Sequence, residues 1–551
     1  MKLNNKITTW TFALLLLLFC SCSDFLTRDH PTGVTDDDFW KTMNECESAL
    51  GQCKAWPNGS YFTSNTVTNV AWIHMEGMTD NQYFRSNFQT EVVNLGNGSA
   101  TPTSGGYISK LWDKYYEYIR RCNRFLEHVD NAYFTLEYER DRMKADVRVW
   151  RAWYHMQLLL WYGRHDGIPI LEKALTPTEN FMSRNTVEEC LDFLNKEFDA
   201  IINITDDNVC PFIWDEGRRD RMSRSSALAL KMDLNLQFQK YDIAKAAAKQ
   251  LIDSGVFELY HTESTDNAPG KNYRDLFNYV GKQNKERIIF TSNGLNQFWF
   301  RCISMSLGGQ GTCAVLKSFV DEFETIDGKT IQSLTANERT EYEKDPLHKE
   351  RDPRLYITVM VPGDNTSFKN YTYTPFDINS SDYYTKTGAP ASGYMLKKFA
   401  SEQDRASGRG SLDFMLYRYA EVLLTYVECL VESGDWQNPD VEKYINMIRN
   451  RAGMPNMDKS VYNTQEKVRE LYRRERRVEL GFEGKRYDDI RRWNIGAQTM
   501  SGSIQGAWNP NTNSFVTIEE RNCIFPKNDS WPLPQDEVTA NSNISQPTGW
   551  K

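Results

Sequence analysis

Apolar side chains recur every three or four positions in several stretches of the chain, which is the spacing of one helix face. The clearest stretch is MKADVRVWRAWYHMQLLLWYG, in which one face carries Val147, Trp150, Tyr154, Leu158 and Trp161. Gly163 follows the stretch and suits a left-handed helix stop. The pattern predicts a long buried helix that ends just before this glycine.

Two later stretches, residues 223–259 and 417–455, each predict two helices joined by a short turn. In the second, the turn falls at Gly434–Pro439. Each pair has about the length of a tetratricopeptide hairpin, whose apolar face needs a neighbouring hairpin. We therefore predict a mainly α-helical fold of about four tetratricopeptide-like hairpins, to which residues 108–162 and 186–204 also contribute.

Residues 256–414 break this rhythm, because they are rich in Gly, Asn, Ser and Tyr. Their short apolar runs RIIFTS and LYITVMV favour strands. We predict a loop-rich, ligand-binding insertion with short β-strands, since structured loops on a rigid frame are where binding concentrates. The insertion interrupts a helical scaffold that we predict over residues 22–255 and 415–495. For residues 496–551 we predict an irregular C-terminal segment. Together these parts form a single domain over 22–551.

The first residues predict export and lipid attachment. A short positive head precedes the apolar block Phe12–Phe19, which is too short to span a bilayer but fits a secretory signal. Ser21 stands directly before Cys22, so the segment resembles a bacterial lipoprotein signal peptide over 1–21, with Cys22 acylated after cleavage. Several acyl chains would anchor the protein stably to a membrane. The alternative is an ordinary signal peptide in which Cys22 is incidental.

Charge and cysteine usage narrow the class of protein. The formal net charge is −9, which argues against a nucleic-acid partner because such partners require a basic surface. The nine cysteines beyond Cys22 are scattered and odd in number, which is not a disulfide framework. Cys46 and Cys53 either form a disulfide or lie two turns apart on one helix face.

A search for catalytic and metal-binding signatures gives little. The chain has no GxxxxGK[ST], GxSxG or HExxH motif. Its seven His are dispersed without the i,i+3 or i,i+4 pairs of a helical metal site. His155 lies within the Trp-rich helix, and we expect it to be a packing residue. We expect no catalytic residues, no metal site and no cofactor.

The run LYRRERRVELGFEGKRYDDIRRWN combines many arginines with carboxylates. Asp488 and Asp489 stand among Arg486, Arg491 and Arg492, which would keep both ionised, the wrong state for a general acid. Arginine pairs bidentately with carboxylates. The run therefore predicts structural ion pairs that clamp the insertion to the helical repeats.

Seven stretches together resemble one known family. They are CSDFL after the signal block, RAWYHMQLLLWYGRHDGIPI, SRSSALALKMDLNLQF, LYRYAEVLLTYVECL, INMIRNRAGMP, RRERRVELGFEGKRYDDIRRWN and WPLPQDEVTANSNISQPTGW. Their order and spacing over nearly the whole chain resemble the SusD/RagB family of nutrient-binding outer-membrane lipoproteins.

The resemblance implies a largely helical fold with four tetratricopeptide-like hairpins, anchored by lipid and facing the cell exterior. It implies a lid that captures an oligosaccharide and passes it to a SusC-like TonB-dependent β-barrel transporter. Some relatives bind peptides, which is the alternative of the RagB type. The family's members are not enzymes.

Ligand contacts in the family usually come from loops after the first helix and from the central insertion. In this chain those are Trp72–Phe88 and Asn293–Trp299, with Tyr371–Tyr384 as a third region. The expected stacking platforms are Trp72, Tyr83, Trp299 and Tyr383. The expected hydrogen-bond partners of sugar hydroxyls are Asp80, Asn81 and Arg85. The alternative is that Asp80 and Asn81 cap a turn and Trp72 lies in the core.

Two other classes of function remain open at this point. A surface hydrolase would need two unopposed carboxylates or a metal cluster in a cleft, and the sequence shows neither. A pure scaffold would use the helical repeats to bind proteins. Aromatic, polar loops without a strong charge bias favour a sugar ligand over a charged peptide.

Overall fold

A computed structural model describes residues 39–54, 72–85, 90–176, 179 and 181–550. The predicted signal peptide, 1–21, and the predicted lipidation site, Cys22, lie outside the described residues. Within the described ranges the chain is mainly helical and carries small antiparallel sheets, as the hydrophobic pattern predicted. None of the helices in this part is both long and apolar enough to cross a membrane.

The longer helices span Met43–Cys53, Thr90–Asn97, Gly106–His128, Glu137–Tyr162, Val187–Ile202, Arg224–Gln237, Tyr241–Asp253, Ala336–Lys344, Tyr419–Glu432, Pro439–Arg451, Gln465–Glu479 and Arg486–Arg492. Short helices span Trp72–Met75, Lys271–Leu276, Phe298–Cys302, Lys317–Val320, Pro353–Thr358, Gly496–Thr499 and Gln535–Ala540. The strands are β1 Gln82–Phe84, β2 Arg287–Thr291, β3 Cys313–Val315, β4 Val359–Met360, β5 Met395–Leu396, β6 Phe414–Arg418, β7 Ser501–Asn509 and β8 Ser514–Asn522. One sheet has the order β1-β3-β5-β4, and β2-β6 and β7-β8 form two-stranded sheets.

Both predicted helical hairpins are present as helix pairs. Arg224–Gln237 packs on Tyr241–Asp253, and Tyr419–Glu432 packs on Pro439–Arg451. Tyr241–Asp253 also packs on Tyr419–Glu432, so the two hairpins are neighbours although the insertion separates them in sequence. The turn of the first hairpin contains Gln239 with a positive φ of 56°. That the frame contains about four such repeats stays a prediction.

The Trp-rich helix Glu137–Tyr162 forms the centre of the core. Its aromatic side chains from Trp150 to Tyr162 are fully buried, and Trp161 stacks on Trp531 with centroids 4.9 Å apart. Gly163 ends the helix as predicted, but with φ −112° rather than a left-handed conformation. Its lack of a side chain serves close approach instead, because a Cβ there would lie 2.7 Å from the Gly167 carbonyl oxygen.

The insertion contains short strands, as predicted, although only one of the two apolar runs is a strand throughout. RIIFT forms β2 and pairs with β6. In LYITVMV only the end is a strand, because Asp352 caps a helix over Pro353–Thr358 and Pro353 occupies its first turn. The cap and the proline outweigh the strand preference of the β-branched residues that follow.

The C-terminal segment 496–551, predicted to be irregular, is instead partly regular. β7 and β8 form a long antiparallel hairpin, and Gln535–Ala540 is helical. Register shifts interrupt the pairing at Gln505, so the apolar and polar positions do not alternate strictly. This irregularity is why the sequence does not show a period of two.

Buried ion pairs join the insertion to the helical frame. The Glu479 carboxylate forms ion pairs with Arg354 at 3.1 Å, with Arg418 at 2.8 Å and with Arg451. Lys398 lies 2.7 Å from Glu483. Because Arg354 and Lys398 belong to the insertion and both glutamates to the Arg-rich run, the predicted clamp is confirmed.

Asp488 and Asp489 are structural ion-pair residues, as predicted. Asp489 lies 3.0 Å from Arg476 and 2.8 Å from Arg492, and Asp488 pairs with Arg491. Burial alone would raise the pKa of Asp489, but the neighbouring arginines outweigh it and lower that pKa. The carboxylate is therefore held in its ionised form.

The cysteines pack as small buried side chains. Cys46 and Cys53 both lie on the inward face of the helix Met43–Cys53 and have free thiols. Their spacing allowed either a disulfide or two positions on one helix face, and the structure shows the second arrangement. All nine cysteines from Cys46 to Cys523 are buried and free of disulfides in the described part of the chain.

Candidate ligand-binding surface

Strand β1 presents Tyr83 at the surface. Gln82 and Phe84 point inward, whereas Tyr83 between them is half-buried, as expected where successive side chains alternate. Tyr83 lies opposite Ala314 of β3, and the next amide, of Arg85, donates to the Thr312 carbonyl at 2.9 Å. The sheet therefore fixes the backbone positions of Tyr83 and Arg85, two of the predicted ligand contacts.

Arg85 ties this strand to the segment that we call the 376–388 loop. Its guanidinium donates to the carbonyls of Lys386 at 2.9 Å and Tyr384 at 3.2 Å. The Tyr383 carbonyl accepts from the Lys386 amide within the same turn. The structure thus places the β1 segment, which carries Tyr83 and Arg85, beside the loop that carries Tyr383. A guanidinium has five N–H donors, so Arg85 keeps donors for a ligand.

The 376–388 loop carries a cluster of aromatic rings. Phe376, Tyr383 and Tyr384 are each half-buried. Tyr384 meets Phe376 edge-on with centroids 5.8 Å apart and Tyr383 at 5.1 Å. Ile378 at the tip is 67% exposed. We call Tyr83, Arg85, Phe376, Tyr383 and Tyr384 the aromatic surface.

A buried carboxylate fixes the base of this loop. Asp382 accepts hydrogen bonds from the hydroxyls of Tyr371 at 2.5 Å, Ser304 and Ser306. Burial first, and then the bond to Asp382, raise the pKa of Tyr371 well above its ordinary value, so the tyrosine stays protonated as a donor. The aromatic surface is therefore held on a rigid base, which keeps the cost of ordering a ligand site low.

The structure corrects the prediction for Trp299. Its side chain is 1% exposed, its Nε1 donates to the Leu307 carbonyl at 2.8 Å, and its ring meets Phe368 edge-on. No ring face is open to a sugar. In the helix Phe298–Cys302 it is the next residue, Phe300, that points outward, 38% exposed.

Phe300 is the residue that the sequence prediction missed. Its amide donates to the Gly408 carbonyl, and its segment adjoins the 376–388 loop, since the Met305 amide donates to Gly388 at 2.9 Å. The helical spacing of the apolar residues in this segment already indicates which side chains face inward. Phe298 and Trp299 share an inward face with Cys302 at spacings of four and three, which leaves Phe300 on the other side.

Asp80 does not stand at the surface either. It is 5% exposed and lies 2.8 Å from Arg486 and 3.0 Å from Arg477. Burial would raise the pKa of Asp80, but these two arginines outweigh it and lower the pKa to about 2. Its lone pairs are committed to arginines, so it is a structural residue and not a partner of sugar hydroxyls.

Asn81 is likewise committed inside the fold. It is fully buried, its amide nitrogen donates to Glu76 at 2.9 Å, and its amide oxygen accepts from Arg477 at 2.8 Å. This corrects its predicted role as a ligand contact. Both Asp80 and Asn81 support the turn before β1, which is close to the alternative that the sequence left open.

Trp72 lies at the start of the short helix Trp72–Met75 and is half-buried. Its ring packs 5.8 Å from that of Trp161 and lies against Gly484, where a Cβ would be 3.0 Å away. With Trp153 it also lines a cavity of about 20 Å³. These contacts are with the helical frame and not with the aromatic surface, so they favour the core alternative for Trp72.

The described residues contain no group of three His, Cys, Asp or Glu side chains placed to hold a metal ion. His155, the histidine within the Trp-rich helix, is a satisfied packing residue, as predicted. Its Nδ1 lies 2.9 Å from the Arg151 carbonyl, and its Nε2 accepts from the Leu171 amide. Burial lowers the pKa of His155 to about 3, which keeps the ring neutral.

A helical frame that presents half-buried aromatic rings on structured loops has the character of a ligand-binding protein. The sequence profile of the SusD family matches residues 256–550, and a profile described as "Starch-binding associating with outer membrane" matches residues 34–230. The chain belongs to the SusD family, as its sequence motifs predicted.

Individual relatives extend over nearly the whole chain. SusD-like protein P38 of Formosa agariphila is 24% identical over 534 residues, 92% of this chain and 94% of that protein. A SusD-like carbohydrate-binding protein of Bacteroides fragilis superposes with a TM-score of 0.77 at 25% identity, covering 92% of this chain and 100% of that one. Surface glycan-binding protein A of Bacteroides thetaiotaomicron, in complex with laminarihexaose, gives 0.64 at 19% identity over 92% and 99%. SusD-like glycan-binding proteins are non-catalytic.

Proposed function

We propose that this protein captures an oligosaccharide on the aromatic surface and delivers it to a SusC-like TonB-dependent transporter in the outer membrane. Capture rests on binding and lid closure, without bond making. Cys22, acylated, anchors the chain to the outer membrane with its binding surface facing the cell exterior.

The arrangement of side chains around the 376–388 loop carries this proposal. Tyr83, Phe376, Tyr383 and Tyr384 offer ring faces for stacking on the apolar faces of sugars. Arg85 supplies donors beside them, and their positions are set by a sheet and by buried hydrogen bonds. An apolar surface with a few fixed polar groups is typical of small-molecule sites. The related proteins described as carbohydrate- or glycan-binding support a sugar as the ligand.

A panel of soluble polysaccharides and oligosaccharides, titrated calorimetrically against the purified protein, tests the proposal. At least one glycan should bind, and Tyr383→Ala should weaken it about 3- to 10-fold, since an aromatic contact contributes about 0.5–1.5 kcal/mol. Tyr133→Ala is the matched control, because Tyr133 is 74% exposed but lies outside the aromatic surface.

Peptides belong in the same panel. Peptide binding that Tyr383→Ala weakens, with no glycan binding, would favour the RagB-type alternative. Binding of neither class would contradict capture at this surface. Co-purification with a β-barrel transporter from outer membranes tests the partner, and a protein that never co-purifies would count against delivery.

A further inference from the structure

A groove of about 760 Å³ lies on the helical frame and shares no lining residue with the aromatic surface. One wall is the segment Phe257–His261, which follows the helix Tyr241–Asp253. The other walls come from residues 283–285, from Tyr419, and from the end of the helix Pro439–Arg451. This volume falls within the range of ligand sites in proteins.

The Phe257–His261 wall is an extended segment that pairs with no strand in the described part of the chain. From residue 256 to residue 268 the chain has no helix, turn or bend. Along the wall Phe257 and Leu259 are buried, whereas Glu258 between them is exposed. That alternation is typical of a β-strand.

One edge of this strand is satisfied and the other is not. The Tyr260 amide donates to Glu286 at 2.9 Å, and the Thr262 amide donates to Asn272 at 2.9 Å. In an extended chain the amides of successive residues point to opposite edges, so residues two apart share an edge. The amides and carbonyls of Phe257, Leu259 and His261 thus belong to the opposite edge, and they make no hydrogen bond within the described residues.

The rest of the groove is apolar or electrically balanced. Met447 is 37% exposed, and the buried Tyr419 contributes to the floor. Glu258 and Lys285 pair with each other across two walls at 3.0 Å. Arg451 at the base is neutralised by Glu286 at 2.6 Å and by Glu479. A ligand with little net charge therefore fits this groove better than a strongly ionic one.

We propose that the groove binds a short extended peptide, which adds as a β-strand to the free edge of Phe257–His261. The peptide's main chain pairs with Phe257, Leu259 and His261, and alternate side chains reach the floor beside Met447 and Tyr419. An unpaired strand edge is a ready template for such pairing. This site is separate from the aromatic surface and does not depend on glycan capture there.

The test uses a tryptic digest of casein as the probe and the purified full chain as the receptor. Retained peptides are identified by mass spectrometry after affinity selection. His261→Pro removes one free-edge donor and should reduce retention about tenfold, in line with one or two lost hydrogen bonds. His261→Ala is the matched control, because it removes the same imidazole and keeps the amide, so its retention should equal that of the unchanged protein.

Hydrogen exchange gives a second, residue-level readout. With a retained peptide bound, exchange should slow at the amides of Leu259 and His261 and stay unchanged at that of Glu258, which points to the other edge. Met447→Asp, which places a charge on the apolar floor, should also reduce retention and serves if His261→Pro fails to fold.

Several outcomes would overturn the proposal. They are retention of no peptide by the unchanged protein, equal retention by a folded His261→Pro variant, and protection at Glu258 instead of its neighbours. Loss of retention in Tyr383→Ala would assign the peptides to the aromatic surface and would overturn it too. If the His261→Pro variant still binds a glycan, the function proposed for the aromatic surface stands, whatever the peptide experiments show.

Discussion

Arg486 holds the carboxylate of Asp80 through two parallel hydrogen bonds, 2.8 Å from Nε and 2.9 Å from Nη2. The two residues are 406 positions apart in the chain. Asp80 lies in the turn before β1, and Arg486 begins the helix Arg486–Arg492. This pair therefore fastens the segment that presents Tyr83 to the Arg-rich run of the helical frame.

Replacing Asp80 by asparagine should destabilise the protein by about 3–5 kcal/mol, because it leaves the buried guanidinium of Arg486 without its ion-pair partner and Arg477 with Glu322 alone. The measurement is the midpoint of urea unfolding. Asp192→Asn is the control, since Asp192 is exposed on the helix Val187–Ile202 and should change little. An unchanged midpoint for Asp80→Asn would show that the pair contributes nothing.

The same carboxylate predicts a pH dependence. Because Asp80 has a folded-state pKa of about 2, below its ordinary value of 3.8, its contribution is fully present above the ordinary value. It is lost as the pH falls toward about 2, and amounts to about 2 kcal/mol. The stability gap between the unchanged protein and Asp80→Asn should narrow by this amount from about pH 5 to about pH 2. A gap that stays constant over this range would contradict the assignment.

Trp299 and Phe300 are adjacent in sequence but should respond oppositely to substitution. Trp299→Ala removes a fully buried ring and should cost about 3–5 kcal/mol of unfolding free energy. Phe300→Ala removes an exposed ring and should change stability by less than about 0.5 kcal/mol. Thermal unfolding of both variants checks this, and equal destabilisation would refute the inward and outward assignment.

If Phe300 extends the aromatic surface, Phe300→Ala should also weaken glycan binding about 3- to 10-fold. Calorimetric titration with a glycan bound by the unchanged protein measures this. Ile524→Ala is a suitable control, since Ile524 is 63% exposed but does not lie on the insertion. Equal affinities for Phe300→Ala and the control would restrict the site to the aromatic surface as defined.

Cys22→Ser should release the protein from membranes, because acylation of this residue is the proposed anchor. Membrane and soluble fractions of cells expressing each form, compared by immunoblotting, give the result. Conversion of Cys46 to serine is the control, since Cys46 is buried in the helix Met43–Cys53. A Cys22→Ser protein that remains in the membrane fraction would reject lipid attachment at this position.

Local sequence periodicity was enough to predict the helical frame. The helix Glu137–Tyr162 and the two hairpins repeat apolar residues at helical spacing over many turns, so their type is encoded within each segment. The hairpin β7–β8 was not predictable in this way, because its register shifts break the alternation. Its strands are defined by pairing with each other rather than by a strict local pattern.

The candidate site was predictable only in part. Arg85 of the β1 segment does bond the 376–388 loop that carries Tyr383, although no short-range pattern links the two segments. Local sequence alone does not show that Asp80 is buried, because its partners Arg477 and Arg486 lie about 400 residues away. Trp299 is a different error, since the phase of its short helix already placed it on the inward face.

The C-terminal segment completes the contacts of the region around β1. Arg521 donates to the carbonyls of Thr79 at 2.6 Å and Gln82 at 3.2 Å, and Trp531 covers Trp161. A ribosome releases these late residues only after hundreds of others. The β1 region therefore gains these contacts only after the C-terminal segment has been synthesised. A truncation that removes residues 521–551 would therefore damage the N-terminal half of the fold, because it takes away the donors that hold the Thr79 and Gln82 carbonyls and the ring that covers Trp161.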